Sequence, residues 1–254
     1  MASLSQLGKQ LIDGETFSLY KGEVLLRFEA EKHRYTVGDL VVDGVTSILN
    51  IIDKPALIQW AANEAATFVR ENLKPGVALD ELQIEELAKA ASLAHRVKKE
   101  KAANIGSITH NWIEEYIKNG RRDLPVNEQA RNGATAFLEW VEKNHVVFVD
   151  SERKIYSRTH NYAGTLDFEA VVNGKRVIGD IKTSSAIYPT MFLQTAAYEL
   201  ARTEEDGIEY AGNIIVNCRK DGTLKVGEVW DAKERAKNYQ SFLAALILYR
   251  NLKT

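Results

Sequence analysis

The sequence predicts one α/β domain with a mostly helical N-terminal elaboration, and three observations predict it. Residues 1–145 read as a short β-meander followed by helices. Residues 146–254 interleave five strands with two helices. No internal repeat, low-complexity tract or Gly/Ser/Pro linker divides the halves. A chain of 254 residues with 45% hydrophobic side chains can close a substantial core without covalent staples.

Taken in order, residues 23–42 (EVLLRFEAEKHRYTVGDLVV) alternate and carry aromatics and valines, which predicts a strand meander before a turn at Asp43-Gly44. From Thr46 to about Leu73 the period turns helical, with Thr46 or Ser47 as N-cap and Pro55 at a helix start. Residues 80–103 form an alanine-rich amphipathic helix, 107–119 another ended by Asn119-Gly120, and 127–144 a third. Strands follow at about 146–157, 162–172, 175–182, 210–218 and 223–229, with helices at about 188–203 and 231–250.

Composition excludes several function classes. Lone Cys218, in the apolar run GNIIVNC, can build neither a disulfide framework nor a multi-cysteine metal site, and reads as a small core residue. No stretch approaches the roughly 18 apolar residues of a membrane span, and MASLSQLGKQLIDG lacks the pattern of a secretory leader, so the expected setting is cytoplasmic with no membrane partner. A net charge of −2 removes a global positive field as an argument for nucleic acid. Only local basic clusters remain: Lys98, Lys99 and Lys101; Arg121 and Arg122; Arg153, Lys154 and Arg158; Lys175 and Arg176; Arg219 and Lys220. Each alone reads as solvated surface.

The chemistry concentrates in GTLDFEAVVNGKRVIGDIKTSS, residues 164–185. Asn173-Gly174 between two alternating apolar runs signals a two-residue hairpin, so Val172 faces Lys175 and, carried back along the strands, Asp167 faces Asp180. By the period-two rule Asp167, Asp180 and Lys182 share one face, while Leu166, Phe168, Ala170, Val172, Val177 and Ile181 share the other. Two directly opposed carboxylates repel, and a hard divalent cation would compensate them. The alternative is a solvent-exposed hairpin with a diagonal Lys182–Asp167 pair.

The spacing G-x-x-D, then D-I-K-T-S, then Q-x-x-x-Y resembles the PD-(D/E)xK nuclease superfamily, in its RecB-like and phage-exonuclease branch. The similarity runs over nearly the whole chain. HRYTVGDLVVDGVTSIL followed by PALIQWAANEAA is similar to the N-terminal region of phage members, GSITHNWIEEYI to their G-x-x-x-H-x-x-x-E helix, and Glu152 with YAGTLDF to the entry of the core. The resemblance implies a restriction-endonuclease-like core, a central mixed β-sheet flanked by helices, within a single nuclease domain spanning 1–254. It implies Asp167, Asp180 and the carbonyl of Ile181 as metal ligands, Lys182 as the catalytic lysine, His110 as a further metal ligand and Glu152 as an acidic support of the metal site. It places Gln194 and Tyr198, on one helix face, with Ser184 at the substrate. The central motif departs from the commoner form only in carrying aspartate where glutamate is usual.

Other readings stand beside these. His110 and Glu114 lie one helical turn apart and could form a plain surface pair. Gln194 in the apolar run MFLQTAAYELA needs hydrogen-bond partners, whereas Tyr198 could serve packing alone. His33, His95, His145 and His160 carry no spacing signal and read as structural or surface residues, and Trp60, Trp112, Trp140 and Trp230 read as packing.

The expected activity is a Mg²⁺- or Mn²⁺-dependent DNA exonuclease of phage or prophage type, using one or two ions, in recombination, repair or genome processing. Its partner is DNA, as a duplex end or single strand, and a strand-annealing or other recombination protein is a further candidate. The alternatives are a structure-specific or nicking endonuclease on the same core, and a catalytically idle nucleic-acid-binding or recombination-assembly subunit.

Overall fold

The structure, a computed structural model, describes residues 14–253. The segment 1–13, read above for leader character, lies outside the described residues. The meander consists of β1 (Glu15–Leu19), β2 (Val24–Glu29), β3 (Arg34–Val37) and β4 (Leu40–Gly44), all antiparallel neighbours. Asp43-Gly44 is not the expected turn. These residues end β4, because they pair in parallel with Tyr162 and Ala163 from the second half of the chain.

The helical stretch from 46 to 73 is two helices, α1 (Val45–Leu49) and α2 (Pro55–Asn72), the second starting at Pro55 as expected. The residue before proline is pushed out of the helical region, and Lys54 accordingly sits at φ −125°, ψ 69°. Gly44, rather than Thr46 or Ser47, is the N-cap of α1. In the opposite sense, the two expected helices at 80–103 and 107–119 are one, α3 (Glu81–Asn119), opened by a capping box between Asp80 and Gln83 and closed by left-handed Gly120. Gly106 does not break it. A Cβ at Gly106 would lie 2.6 Å from Thr183 Oγ1, so the glycine serves close helix-to-strand packing. Next comes α4 (Glu128–Lys143), with Asn127 as its cap.

The remaining elements fall where the periodicity predicts them: β5 (Val147–Ser157), β6 (Tyr162–Val172), β7 (Lys175–Lys182), α5 (Pro189–Asp206), β8 (Gly212–Cys218), β9 (Leu224–Val229) and α6 (Ala232–Leu252). The strands form one mixed sheet in the order β1-β2-β3-β4-β6-β7-β8-β9, with β5 pairing β6 on its other edge. Pairing of β4 with β6 and of β7 with β8 is parallel, and the rest is antiparallel. Helices cover both faces. On one, α1, α5 and α6 bury Val45, Ile48, Ala197, Tyr198, Phe242 and Leu246 against Ile155, Tyr162 and Ile178. On the other, α3 and α4 bury Trp112, Ile113, Phe137 and Trp140 against Phe168, Ala170, Val177 and Ile214. Cys218 belongs to this second layer, and burial pushes its thiol up to about 12, as expected of a core residue.

One assignment of faces needs correction. Leu166 packs with Tyr162 and Ile178 on the α5/α6 side, whereas Phe168 packs on the α3/α4 side. The alternation fails between them, beside the position where β5 takes a left-handed residue, Glu152 at φ +55°. Irregularities of this kind bend a strand and re-aim its side chains.

The edge of β6 positions everything that follows. β5 runs along one edge from Tyr162 to Val171. The other edge is shared: Tyr162 and Ala163 pair with β4, and Phe168 to Val172 pair with β7. Between them, Gly164 to Asp167 have no strand partner on that edge, and a cleft opens where β4 and β7 diverge.

Candidate active site

The cleft measures about 260 Å³. His110, Glu152, Thr165, Asp167, Gln194 and Tyr198 line it, together with Lys154 and the meander residues Phe28, His33 and Tyr35.

The hairpin register is the expected one from Val172↔Lys175 to Phe168↔Gly179, turning through Asn173 (φ 48°) and Gly174 (φ 78°). At the next position the ladder gives way to a side chain. Asp167 Oδ2 accepts the Ile181 backbone N–H at 2.7 Å, which fixes the carboxylate against β7. His110, brought over the strand by α3, sets Nε2 3.2 Å from the same Oδ2 and Nδ1 3.9 Å from Glu152 Oε1. No protein donor among the described residues reaches Asp167 Oδ1.

Glu152 lies between the register pairs Ser151↔Phe168 and Arg153↔Leu166, and so meets Asp167 across β5 and β6. Its left-handed backbone is a sparsely populated conformation for a non-glycine residue, kept where the surroundings enforce it. Ser151 Oγ donates to the Asp167 carbonyl at 3.0 Å and fastens the irregular segment to β6. One ligand atom each from His110, Glu152 and Asp167 lies within 4.8 Å of the others, a spacing at which one cation could meet all three.

Electrostatics match that geometry. Burial opposes a charge on His110, but the Asp167 hydrogen bond and the negative charges of Asp167, Glu152 and Asp180 outweigh it and raise the imidazole to about 9. The ring is therefore a cation at neutral pH, held between two carboxylates. Burial likewise opposes ionisation of Asp167, yet His110, Lys182 and the Ile181 N–H hold it below the usual carboxylate range. Burial and the neighbouring Asp167 charge raise Glu152.

Asp180 stands behind the cleft rather than in its wall, and Lys182 is part-buried beside it. Asp180 is fully buried, which rules out the alternative of a solvent-exposed hairpin. Lys182 Nζ sits 2.7 and 2.6 Å from its two carboxylate oxygens, so the lysine pairs with Asp180 and not diagonally with Asp167. Burial raises Asp180 to about 7, the Asp167 charge adding to it and the Lys182 ammonium opposing it. Although burial works against its charge, Lys182 is raised by the two aspartates.

On α5, Gln194 Nε2 donates to Tyr198 Oη at 2.8 Å, which supplies the partner that an amide in an apolar run requires. Burial, then the Asp180 and Asp167 charges, push the Tyr198 phenol well above its ordinary value. Gly164 makes room for that ring, since a Cβ there would lie 2.7 Å from Tyr198 Cε1. Ser184 is turned elsewhere: its Oγ donates to the Ala186 carbonyl, and its own carbonyl accepts from Asn217. The Ile181 side chain packs in the α3/α4 layer. Glu114 pairs with Lys118 and is not one of the three-residue cluster, although its charge helps to raise Glu152.

Sequence reasoning missed Lys154 and the aromatic wall. Lys154 follows Glu152 by two along β5, a period-two signal that was available once Glu152 was assigned inward. Its ammonium lies 4.9 Å from the centroid of Phe28, which stacks on Tyr35, and Tyr35 Oη bonds Thr165 Oγ1 at 2.9 Å. His33, read as a surface residue, is exposed but stands at the cleft rim. The tryptophans pack as expected, with Trp112 and Trp140 buried. Each basic cluster has at least one ion-paired member: Lys98 pairs with Glu64, Arg121 with Asp123, Arg153 with Asp150 and Glu205, Arg158 with Glu23, Arg176 with Glu169, and Arg219 with Asp221.

Neither protein-family models nor curated proteins match the chain. Solved structures overlap it in part. The crystal structure of SSO0001 shares 15% identity over 75% of this chain and 86% of that one, with a TM-score of 0.34. An alkaline exonuclease, LHK-Exo, from Laribacter hongkongensis shares 14% identity over 60% and 90%, TM-score 0.30. A phage-related exonuclease from Haemophilus somnus 129PT shares 10% identity over 73% and 90%, TM-score 0.30. Overlaps this low carry no weight for activity. No described helix is long and apolar enough to cross a membrane.

Proposed function

We propose that the chain is a divalent-metal-dependent deoxyribonuclease of the restriction-endonuclease-like type, a DNA exonuclease of phage or prophage character that works in recombination, repair or genome processing. The observation that carries the proposal is the convergence of His110, Glu152 and Asp167 within 4.8 Å, backed by the buried Asp180–Lys182 pair. In this reading 1–145 and 146–254 are parts of one nuclease domain, with the catalytic groups drawn from both.

The residues fit a hard cation. The two carboxylates suit Mg²⁺ or Mn²⁺, Asp167 Oδ1 has no protein donor among the described residues, and the two carboxylates already attract positive charge in the form of protonated His110. His110, Glu152 and Asp167 hold the ion in this proposal, with Asp180 completing the negative charge from behind. A bound ion supplies Lewis acidity, lowering the pKa of water and neutralising charge on the scissile phosphate.

The chain's own groups do the rest. The Ile181 N–H keeps Asp167 in one orientation, and Asp180 keeps Lys182 charged, so the lysine acts as a fixed cation that stabilises negative charge developing in the transition state. The bonded pair Gln194–Tyr198 presents one preorganised polar edge to the substrate.

The test is digestion of end-labelled linear duplex, end-labelled single strand and supercoiled circle in Mg²⁺, Mn²⁺ and EDTA. Linear DNA should be degraded from an end in either metal and in neither case with EDTA, while the circle survives. Nicking or linearisation of the circle makes it an endonuclease, and retardation without cleavage makes it a binding subunit.

A further inference from the structure

Across the cleft from His110, Glu152 and Asp167 stands a wall of opposite character. It is built by the β2–β3 hairpin, whose strands carry Phe28 and Tyr35 and whose turn carries His33. Phe28 stacks on Tyr35 with centroids 4.7 Å apart, and Tyr35 is buried. Those rings are already engaged. The His33 ring meets both edge-on, at 5.4 and 6.0 Å, and the residue is exposed. Its backbone is left-handed, φ +47°, and its N–H closes the turn on the Ala30 carbonyl at 3.1 Å. The imidazole thus stands at the mouth of the cleft on a hydrogen-bonded turn, with the Phe28 and Tyr35 rings against its edge and the residue exposed to solvent.

Beside it, Lys154 brings a cation into the cleft. It makes no ion pair with a carboxylate among the described residues; its one hydrogen bond is a long 3.4 Å contact to the Glu152 carbonyl, and its ammonium lies over the Phe28 ring. Burial between the Phe17 and Phe28 rings lowers its pKa and the nearby Glu152 charge opposes that, and among the described residues it is the one lysine or arginine that lines the cleft. A ring platform with an unpaired cation next to it is the chemistry by which proteins hold unpaired nucleotides, base on the ring and phosphate on the cation.

Resting on the nuclease reading above and extending it to substrate form, we infer that His33 and Lys154 make a subsite for one unpaired DNA nucleotide, base stacked on the His33 ring and phosphate facing Lys154. The substrate delivered to the carboxylates is then a single-stranded or frayed end, and a paired end must open by one base to enter.

The probe is a short single-stranded oligodeoxynucleotide carrying 2-aminopurine at one terminus or the other, titrated with Ca²⁺ in place of Mg²⁺ to hold off cleavage. Stacking should quench the fluorescence. His33→Asn keeps a residue that tolerates the left-handed turn but removes the ring, and should weaken binding about 10-fold; His33→Trp should restore it. Lys154→Gln should weaken binding and lower the slope of log affinity against log salt by about 0.7, the value for one phosphate on a single strand. In Mg²⁺ the native protein should cut a duplex with a mismatched, frayed end faster than one with a G·C-clamped end, and His33→Asn should raise KM on the frayed substrate while leaving kcat within about twofold.

The failures separate. If the native protein cleaves DNA and His33→Asn and Lys154→Gln bind and cut as it does, the subsite is wrong and the nuclease stands. If His33-dependent quenching occurs and no DNA is cut under any metal, the nuclease reading is wrong and the subsite stands. If the native protein neither quenches nor cuts, both fall.

Discussion

Glu152 and Asp167 meet across β5 and β6 with His110 between them, and the β5 backbone turns left-handed at Glu152 where they do. Two carboxylates are thereby set against each other on one sheet, with a protonated imidazole beside both.

That arrangement makes metal binding and proton binding compete. His110 is raised from 6.5 to about 9, so the stability it contributes is fully present below about pH 6.5 and lost as pH rises through 9. Asp180, raised from 3.8 to about 7, is an acid that the fold prefers protonated, and its contribution is lost between those values as pH rises. Both signs agree: in EDTA the Tm should fall from pH 5.5 to pH 9. Mg²⁺ or Mn²⁺ displaces protons from the same groups and should raise the Tm more at pH 8.5 than at pH 6. Scanning calorimetry across this range checks it; equal metal shifts in native protein and Asp167→Asn/Asp180→Asn would remove the assigned site.

Asp180→Asn should abolish cleavage and leave the fold intact. Since the native environment disfavours the Asp180 charge, the amide should also raise the metal-free Tm at pH 8.5, where the native carboxylate is ionised, and have little effect at pH 5.5. Activity measured beside paired melts at the two pH values decides this, and a lower Tm at both would make Asp180 a structural counter-ion of Lys182.

Lys182 is the part-buried ion-pair partner of buried Asp180, so truncation to alanine would strand a carboxylate. Lys182→Gln keeps a donor on Asp180 while removing the charge. Its single-turnover rate in Mg²⁺ should fall by about 10²–10³-fold, the range for loss of a preorganised transition-state stabiliser, while DNA affinity in Ca²⁺ changes far less. A mutant that loses affinity as steeply as rate would show Lys182 to be a phosphate anchor.

Gly106 and Thr183 set the distance between α3 and β7. Gly106→Ala favours the helix intrinsically by about 1 kcal/mol, but its Cβ would lie 2.6 Å from Thr183 Oγ1. The variant should lose about 1–3 kcal/mol and, by shifting His110 one turn further along, lose metal-dependent stabilisation as well. Gly106→Ala/Thr183→Ala should recover both, and urea melts with and without Mg²⁺ measure the coupling.

How much of this was legible follows the range of the interactions. The hairpin register was, because Asn173-Gly174 and a period of two are local and the turn adopts the φ values those residues favour. Gln194 and Tyr198 were legible as a pair for the same reason, four residues apart on one helix. The join of the helices expected at 80–103 and 107–119 was not legible, because the partner that explains Gly106 there, Thr183, is far along the chain. Asp43-Gly44 looked like a turn because nothing nearby announces its parallel pairing with Tyr162 and Ala163. The assigned partner of Asp167 changed on similar grounds: local arithmetic offers Asp180, whereas the facing carboxylate in the cleft, Glu152, comes from a ladder whose register is set by a bulge. Leu166 and Phe168 were put on one face by the ideal pleat, which the strand does not keep there.

The pairing of β4 with β6 joins residues more than a hundred positions apart through only two register pairs, fastened outside by Arg250 and Lys253 on Asp43. Closing so long an intervening chain is slow, and a seam so short opens more readily than the ladders of β6, β7 and β8. The meander can pair with itself early in folding, yet it becomes a wall of the cleft only when that seam closes. Amide hydrogens of Asp43, Gly44, Tyr162 and Ala163 should therefore exchange ahead of those in β7 and β8. Cleavage should be lost at denaturant concentrations below the main transition. On the nuclease reading proposed above, a partly unfolded chain is then inert toward DNA, and cleavage is confined to molecules that have finished folding.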